Sequence, residues 1–180
     1  MMRKFFMAML LLVTGLVHVS AQDADAKYAK DLLKAGAEVP NIVINDIISG
    51  VEKHLSDFKG KYVVLDFWAS WCPDCRKDVP EMKRLHAEYG KKGVEFVGIS
   101  FDKDEQIWRT FVKDNGMNWV QHREQEAWKN SQVAASFFIK WLPSVYVLDK
   151  EGKVVVGTVM IEKLDNVLGG LVGKSANSAE

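Results

Sequence analysis

The chain is poor in cysteine, with 2 among 180 residues, and these two, Cys72 and Cys75, stand three positions apart. A structural disulfide gains most from closing a long loop. This pair closes almost none, so its spacing argues for redox use over stapling. No run rich in lysine or arginine is present and the formal net charge is 0, which argues against nucleic acid as a partner. No internal repeat and no low-complexity segment is found. Nor is there an apolar run long enough to cross a bilayer comfortably: Phe5 to Val17 extends for about 13 residues.

That short run is flanked by signals of its own. Arg3 and Lys4 precede it, and Val19-Ser20-Ala21 supplies small residues after it. The arrangement reads as a secretory signal over residues 1–21, with a mature start near Gln22. The alternative is an uncleaved membrane anchor, against which His18 and Ser20 end the apolar run early. No cysteine lies at the cleavage region, so lipid attachment to a cysteine is excluded. The expected product is an exported, periplasmic protein with no stable membrane insertion after cleavage. Residues 22–38 read as a polar, Ala/Lys-rich leader or short helix. Residues 39–173 form one domain, and 174–180 a small, polar, frayed tail.

Apolar content of 48% is ample for a packed core. Asn41–Asn45 and Val51–Leu55 read as a hairpin around Gly50, followed by a turn over Ser56–Gly60. Tyr62–Trp68 is nearly continuous in apolar residues, as a buried central strand requires. From Cys72 the pattern turns helical: Val79, Met82, Leu85, His86 and Tyr89 recur at three and four spacing, with a kink expected at Pro80. Val94–Phe101 reads as a second central strand. Asp104 is placed to cap a helix whose face is Ile107, Trp108, Phe111 and Val112. A short strand near Trp119-Val120, a helix over Glu124–Phe138, a hairpin of Ser144–Leu148 with Lys153–Val159, and a closing helix over Ile161–Leu171 complete the order ββαβαβα-ββα.

The chemistry concentrates where the central strand meets the first long helix. A Cys-x-x-Cys in such a turn exposes the first sulfur and sets it against the free N–H groups and dipole of the helix start, which stabilise a thiolate. The second thiol, one turn on, resolves the mixed disulfide. His54, His86 and His122 are scattered and read as surface or core residues. Trp68, Trp108, Phe111 and Trp128 read as packing.

Here the residues resemble the thioredoxin superfamily. The resemblance is carried by Asp66-Phe67-Trp68-Ala69-Ser70-Trp71-Cys72-Pro73-Asp74-Cys75-Arg76, by Pro80 and by Leu142-Pro143-Ser144, and it spans roughly Val39 to Leu171. Leu55–Lys61, the inserted helix and strand after Phe101, and Asp149–Lys153 narrow it to the exported TlpA/ResA-like branch. It implies an α/β thioredoxin-like fold: a central mixed β-sheet flanked by helices, with an N-terminal β-hairpin and an inserted helix-strand segment.

It also implies roles. Cys72 is the nucleophile and Cys75, less exposed, resolves. Pro143 is a cis proline beside the pair, and the Leu142 backbone pairs with an extended substrate while Trp71 covers the thiols. Asp66 is the buried acid that takes the Cys75 proton. The lysine that thioredoxins often set beside this acid is replaced, in the expected strand pairing, by Gly98. Asp78, three residues after the second cysteine, is either an active-site acid, as in some ResA-like proteins, or a helix-dipole residue. Pro73 and Asp74 match no common pattern for the intervening dipeptide, and a carboxylate there should disfavour the Cys72 thiolate and make the dithiol a better reductant.

The reading is therefore a protein-disulfide reductase with no dissociable cofactor, no metal, protein disulfide and dithiol substrates, and a membrane electron donor that recharges it. One alternative is a copper-binding module, which soft thiolates would suit, but copper-handling relatives space their cysteines one residue wider and add a specific histidine. Another is a peroxidase on the same fold, which places a threonine where this chain has Ala69.

Overall fold

The computed structural model describes residues 24–177, with side chains through Gly173. The expected signal over residues 1–21 and the residues after 177 lie outside the described residues. The elements run α1 (Ala24–Tyr28), β1 (Val43–Asn45), β2 (Glu52–His54), β3 (Tyr62–Trp68), α2 (Pro73–Tyr89), β4 (Val94–Ser100), α3 (Glu105–Asp114), β5 (Val120–Arg123), α4 (Gln132–Ser136), β6 (Ser144–Leu148), β7 (Val154–Thr158) and α5 (Glu162–Asn177). Five strands form one mixed sheet in the order β5-β4-β3-β6-β7. β3, β4 and β5 are parallel, whereas β6 and β7 run antiparallel to their neighbours. β1 and β2 form a separate antiparallel pair.

β3 lies at the centre because six of its seven residues are buried and β-rich in character. The long helix α2 starts where Cys72 caps it and Pro73 occupies its first turn, a position where a missing N–H costs nothing and the fixed φ suits the helix. Pro80, where a kink is expected, lies inside α2, which spans 17 residues. Asp104 caps α3 by accepting from the N–H groups of Gln106 and Ile107.

Four expectations are corrected. First, the segment read as a leader or short helix does hold a short helix, α1, but it packs into the domain instead of standing ahead of it. Asp25 accepts from Thr158 Oγ1 and the Val159 N–H, Leu33 N–H donates to Tyr146 Oη, and Ala29 and Leu32 are buried. Gly157 permits this approach, since a Cβ there would stand 2.7 Å from Tyr146 and 3.3 Å from Leu32 Cβ. Second, Glu124–Phe138 is not one helix but a 3-10 turn over Trp128–Asn130 and the short α4, separated and preceded by non-helical residues. The Glu124 carboxylate is engaged by Ser131 Oγ, Ala127 is extended, and Ser131 caps only the five-residue α4. Third, Ile107 does not share the buried face of α3; Trp108 and Val112 do, while Ile107 is exposed. Fourth, α5 continues past Gly173 to Asn177, into the expected tail.

Candidate active site

The site is built at the C-terminal end of β3, where the chain turns into α2. Cys72 and Cys75 are joined as a disulfide. Cys72 is the N-cap of α2, and its Sγ accepts from the Cys75 N–H at 3.2 Å. A sulfur in this position faces the donor end of the helix, which favours its thiolate once the bond is reduced. The sequence expectation that the turn exposes the first sulfur is corrected: both cysteines are buried, at 5% and 4% exposure. Nor do the two differ as expected. Substrate access therefore depends on the groups around the pair.

One of these is the loop before β6. Its Leu142–Pro143 peptide bond is cis, and Leu142 O lies 3.6 Å from Cys72 Sγ. Trp141 is anchored by stacking on Tyr28 of α1, centroids 3.9 Å apart, so the docked N-terminal segment braces the loop beside the disulfide. Trp71 is 52% exposed and packs on Trp128 at 6.3 Å. Trp128 in turn donates from Nε1 to Ile139 O. Trp128, read from the sequence as packing, thus connects Trp71 to the loop that carries Pro143. Trp68 is buried.

Beneath the pair lies an acidic cleft. Asp66, Trp68, Cys75, Asp78, Val79, Met82, Met117, Pro143 and Val145 line it together. Asp66 is buried and pairs in register with Gly98 of β4, as the strand reading expects, so no lysine stands beside it from that position. Burial, and secondarily the neighbouring Asp78, push the Asp66 carboxyl up to about 8. Asp78 is half-buried and is itself raised to about 6, by desolvation first and then by Glu162 and Asp74. The structure thus brings Asp78 into the same cleft as Cys75 and Asp66. Two acids with separated titrations beside a resolving thiol are suited to move its proton.

Asp74 points away from this cleft. It is exposed and paired with Lys77 at 2.9 Å. A solvated carboxylate with its own counterion acts only weakly on Cys72, so the effect expected of Asp74 is reduced.

Asp102 carries no sequence signal of a role beyond its place at the end of an apolar strand. It is buried and accepts from Ser70 N–H (2.9 Å), Ser70 Oγ (2.6 Å) and Ser100 Oγ (2.6 Å). It clamps the turn before Cys72 to the end of β4. Asp102→Ala should leave these donors unpaired and destabilise the oxidised protein by about 2–4 kcal/mol in urea unfolding; a loss below about 0.5 kcal/mol would contradict the clamp. His122 has a structural place too: Nδ1 accepts from Asn45 N–H and Nε2 faces Glu124 at 3.2 Å. Among the described residues, no group of three or more His, Cys, Asp and Glu is placed to hold a metal ion.

Comparison with known proteins agrees with this geometry. Residues 35–156 match the AhpC/TSA family. The thiol-disulfide oxidoreductase ResA of Bacillus cereus (strain ZK / E33L) is 33% identical over 142 residues, 77% of this chain and 79% of that protein. The ResA protein of Oceanobacillus iheyensis is 29% identical over 172 residues, 92% of this chain and 88% of that protein. Among solved structures, the thioredoxin domain of a thiol-disulfide oxidoreductase from Bacteroides vulgatus superposes with a TM-score of 0.71 at 31% identity, covering 78% of this chain and 99% of that one. A putative thiol:disulfide interchange protein DsbE from Chlorobium tepidum gives 0.70 at 26% identity, covering 78% and 99%.

Proposed function

Because this chain belongs to the AhpC/TSA family, with ResA thiol-disulfide oxidoreductases among its relatives, we propose that its thiol–disulfide exchange runs as an exported protein-disulfide reductase. The enzyme class follows from the family. The direction, the compartment and the residue roles are the proposal. The observation that carries it is Cys72 as N-cap of α2, bonded to Cys75 above the buried Asp66.

In the reduced protein the Cys72 thiolate attacks one sulfur of a client disulfide. A Cys72–client bond forms, the client S–S bond breaks, and the first client sulfur leaves as a thiolate. Cys75 then gives its proton to Asp66 and attacks Cys72 Sγ. The Cys72–Cys75 bond forms and the second client thiolate leaves. Two electrons pass to the client, and the enzyme is left oxidised. Leu142 offers backbone to an extended client segment, and Trp71 with Pro143 forms the apolar wall beside it. Asp78 shares the cleft and modulates Asp66, and Pro73 tunes the potential of the pair, with only a lesser part from the solvated Asp74. A dithiol donor at the membrane restores the reduced form.

The signal reading of residues 1–21 supports export. One solved relative, from Corynebacterium glutamicum, is described as a secreted thiol-disulfide isomerase, at 25% identity and TM-score 0.65.

Equilibration of the Cys72–Cys75 couple against a dithiol buffer tests the direction. A potential well below about −200 mV is expected of a reductant, with turnover of insulin disulfides. A value near about −120 mV, at the oxidising end of the range, would reverse the proposed direction.

A further inference from the structure

Gln121 of β5 is completely buried, yet neither its Oε1 nor its Nε2 has a hydrogen-bond partner among the described residues. Its backbone is held firmly: the N–H donates to Asp46 Oδ1 at 3.0 Å and the carbonyl accepts from Ile47 N–H at 2.9 Å. Trp68 Nε1 is likewise buried and unpartnered. Gly98 separates the two. A Cβ at Gly98 would collide with Gln121 Oε1 and lie 3.0 Å from Trp68 Nε1, so both groups crowd over its bare Cα. The register puts Gln121, Gly98 and Asp66 in one row across β5, β4 and β3, and paired residues share a face of the sheet. Trp68 also lines the cleft that holds Asp66 and Cys75.

An unpaired buried amide costs about 1–3 kcal/mol, and folded proteins satisfy such groups, often with one ordered water. The donors and acceptor here, two N–H groups and one C=O, are what a water needs. Neighbouring strands place Cβ atoms about 5 Å apart, so an amide leaning over Gly98 is within one water's span of the Asp66 carboxyl. We propose that Gln121, whose amide fills the space over Gly98, is a positioning residue for Asp66: with Trp68 it holds a water, on the Asp66 side of that amide, that donates a hydrogen bond to the Asp66 carboxylate. This rests on the reading of Asp66 as the proton acceptor for Cys75.

The other groups facing Asp66 make this donor matter. From α2 come Cys75 and the carboxylate of Asp78, which itself faces Asp74 and Lys77 and, from α5, Glu162. Met117, Pro143 and Val145 are uncharged. Trp68 in the cleft wall, with Gln121 behind it, brings neutral N–H donors toward the ionised form, which eases ionisation. Without them the acid should ionise later and accept the Cys75 proton less readily at neutral pH.

The test uses the full chain with two readouts: the Asp66 carboxyl titration by 13C NMR, and the two steps of thionitrobenzoate release after adding 5,5′-dithiobis(2-nitrobenzoate) to the reduced protein. The first step reports attack by Cys72 and the second resolution by Cys75. Gln121→Leu should move the Asp66 midpoint up by about one pH unit and slow the second step about ten-fold at pH 7, leaving the first unchanged. Gly98→Ala, whose methyl would collide with the Gln121 amide and displace it, should act in the same direction and serves if Gln121→Leu does not fold. In an Asp66→Asn background, Gln121→Leu should add no further slowing. An unmoved midpoint in a folded variant, or additive slowing, overturns the proposal. If Asp66→Asn alone leaves the second step at the wild-type rate, the proton-acceptor reading fails instead, and the titration still decides whether Gln121 supports the carboxylate.

Discussion

A Cys75→Ser variant is expected to stop exchange half way, accumulating a covalent client complex through Cys72. Turnover of insulin disulfides should fall on the order of 10³-fold or more, while a single round of attack by Cys72 keeps its rate. The reason lies in the geometry of the pair. Cys72 alone sits at the donor end of α2 and beside Leu142, so attack does not need the second thiol. Release does, because Cys75 is the one group held against Cys72 Sγ that can displace the client sulfur. The complexes formed in cells, isolated under non-reducing conditions and identified by mass spectrometry, would name the clients. Full multiple turnover by Cys75→Ser would contradict a two-thiol mechanism. A matching Cys72→Ser variant should form no such complexes.

Asp66→Asn should move stability and activity in opposite directions, and the stability gain should depend on pH. The folded protein holds the Asp66 proton up to about pH 8, whereas the unfolded chain releases it near the ordinary value of 3.8. Between those values the folded state binds more protons, so its stability falls as pH rises. The stabilising contribution is intact below about pH 4 and lost above about pH 8. Removing the buried charge should therefore make the variant more stable than the wild type by about 3–5 kcal/mol at pH 9, with the gap closing toward zero near pH 4. Urea unfolding of the oxidised protein at several pH values measures this. A gap that does not change with pH would mean that Asp66 is not a buried acid with a raised titration. Resolution by Cys75 should meanwhile slow by about 10²-fold at neutral pH, the usual effect of losing a general base. An inflection near pH 6 from Asp78 should persist, since burial, Glu162 and Asp74 raise that group without Asp66.

How far each part of the molecule was legible follows from the range of the interactions that shape it. β3, α2 and the Asp104 cap were readable because each is decided within a few residues: a continuous apolar run, a three-and-four repeat, a carboxylate two and three residues before free N–H groups. The pairing of Asp66 with Gly98 was readable because two adjacent parallel apolar strands leave little freedom of register when one face is buried. By contrast, the segment over Glu124–Phe138 has the composition of a helix. It is drawn out of helical form by Glu124 bonding to Ser131 and Trp128 bonding to Ile139, contacts that composition does not encode. Ile107 fits the apolar face of α3 by spacing but faces solvent, because what covers a helix face is decided by its neighbours.

The active site divides along the same line. The sequence by itself determined the cysteine pair and the strand-to-helix turn that holds it, since both are local patterns of fixed spacing, and its resemblance to the thioredoxin superfamily singled out the acid in the central strand and the proline that precedes β6. Only the tertiary structure decided that both sulfurs are buried, that Asp78 joins Asp66 in one cleft while Asp74 turns to Lys77, that Asp102 clamps the turn, and that Tyr28 of the N-terminal segment stacks against the loop of Pro143. Apart from the local Asp74–Lys77 pair, each of these depends on residues far apart in the chain meeting at one end of the sheet, where burial and mutual charge, rather than residue type, set what a side chain can do.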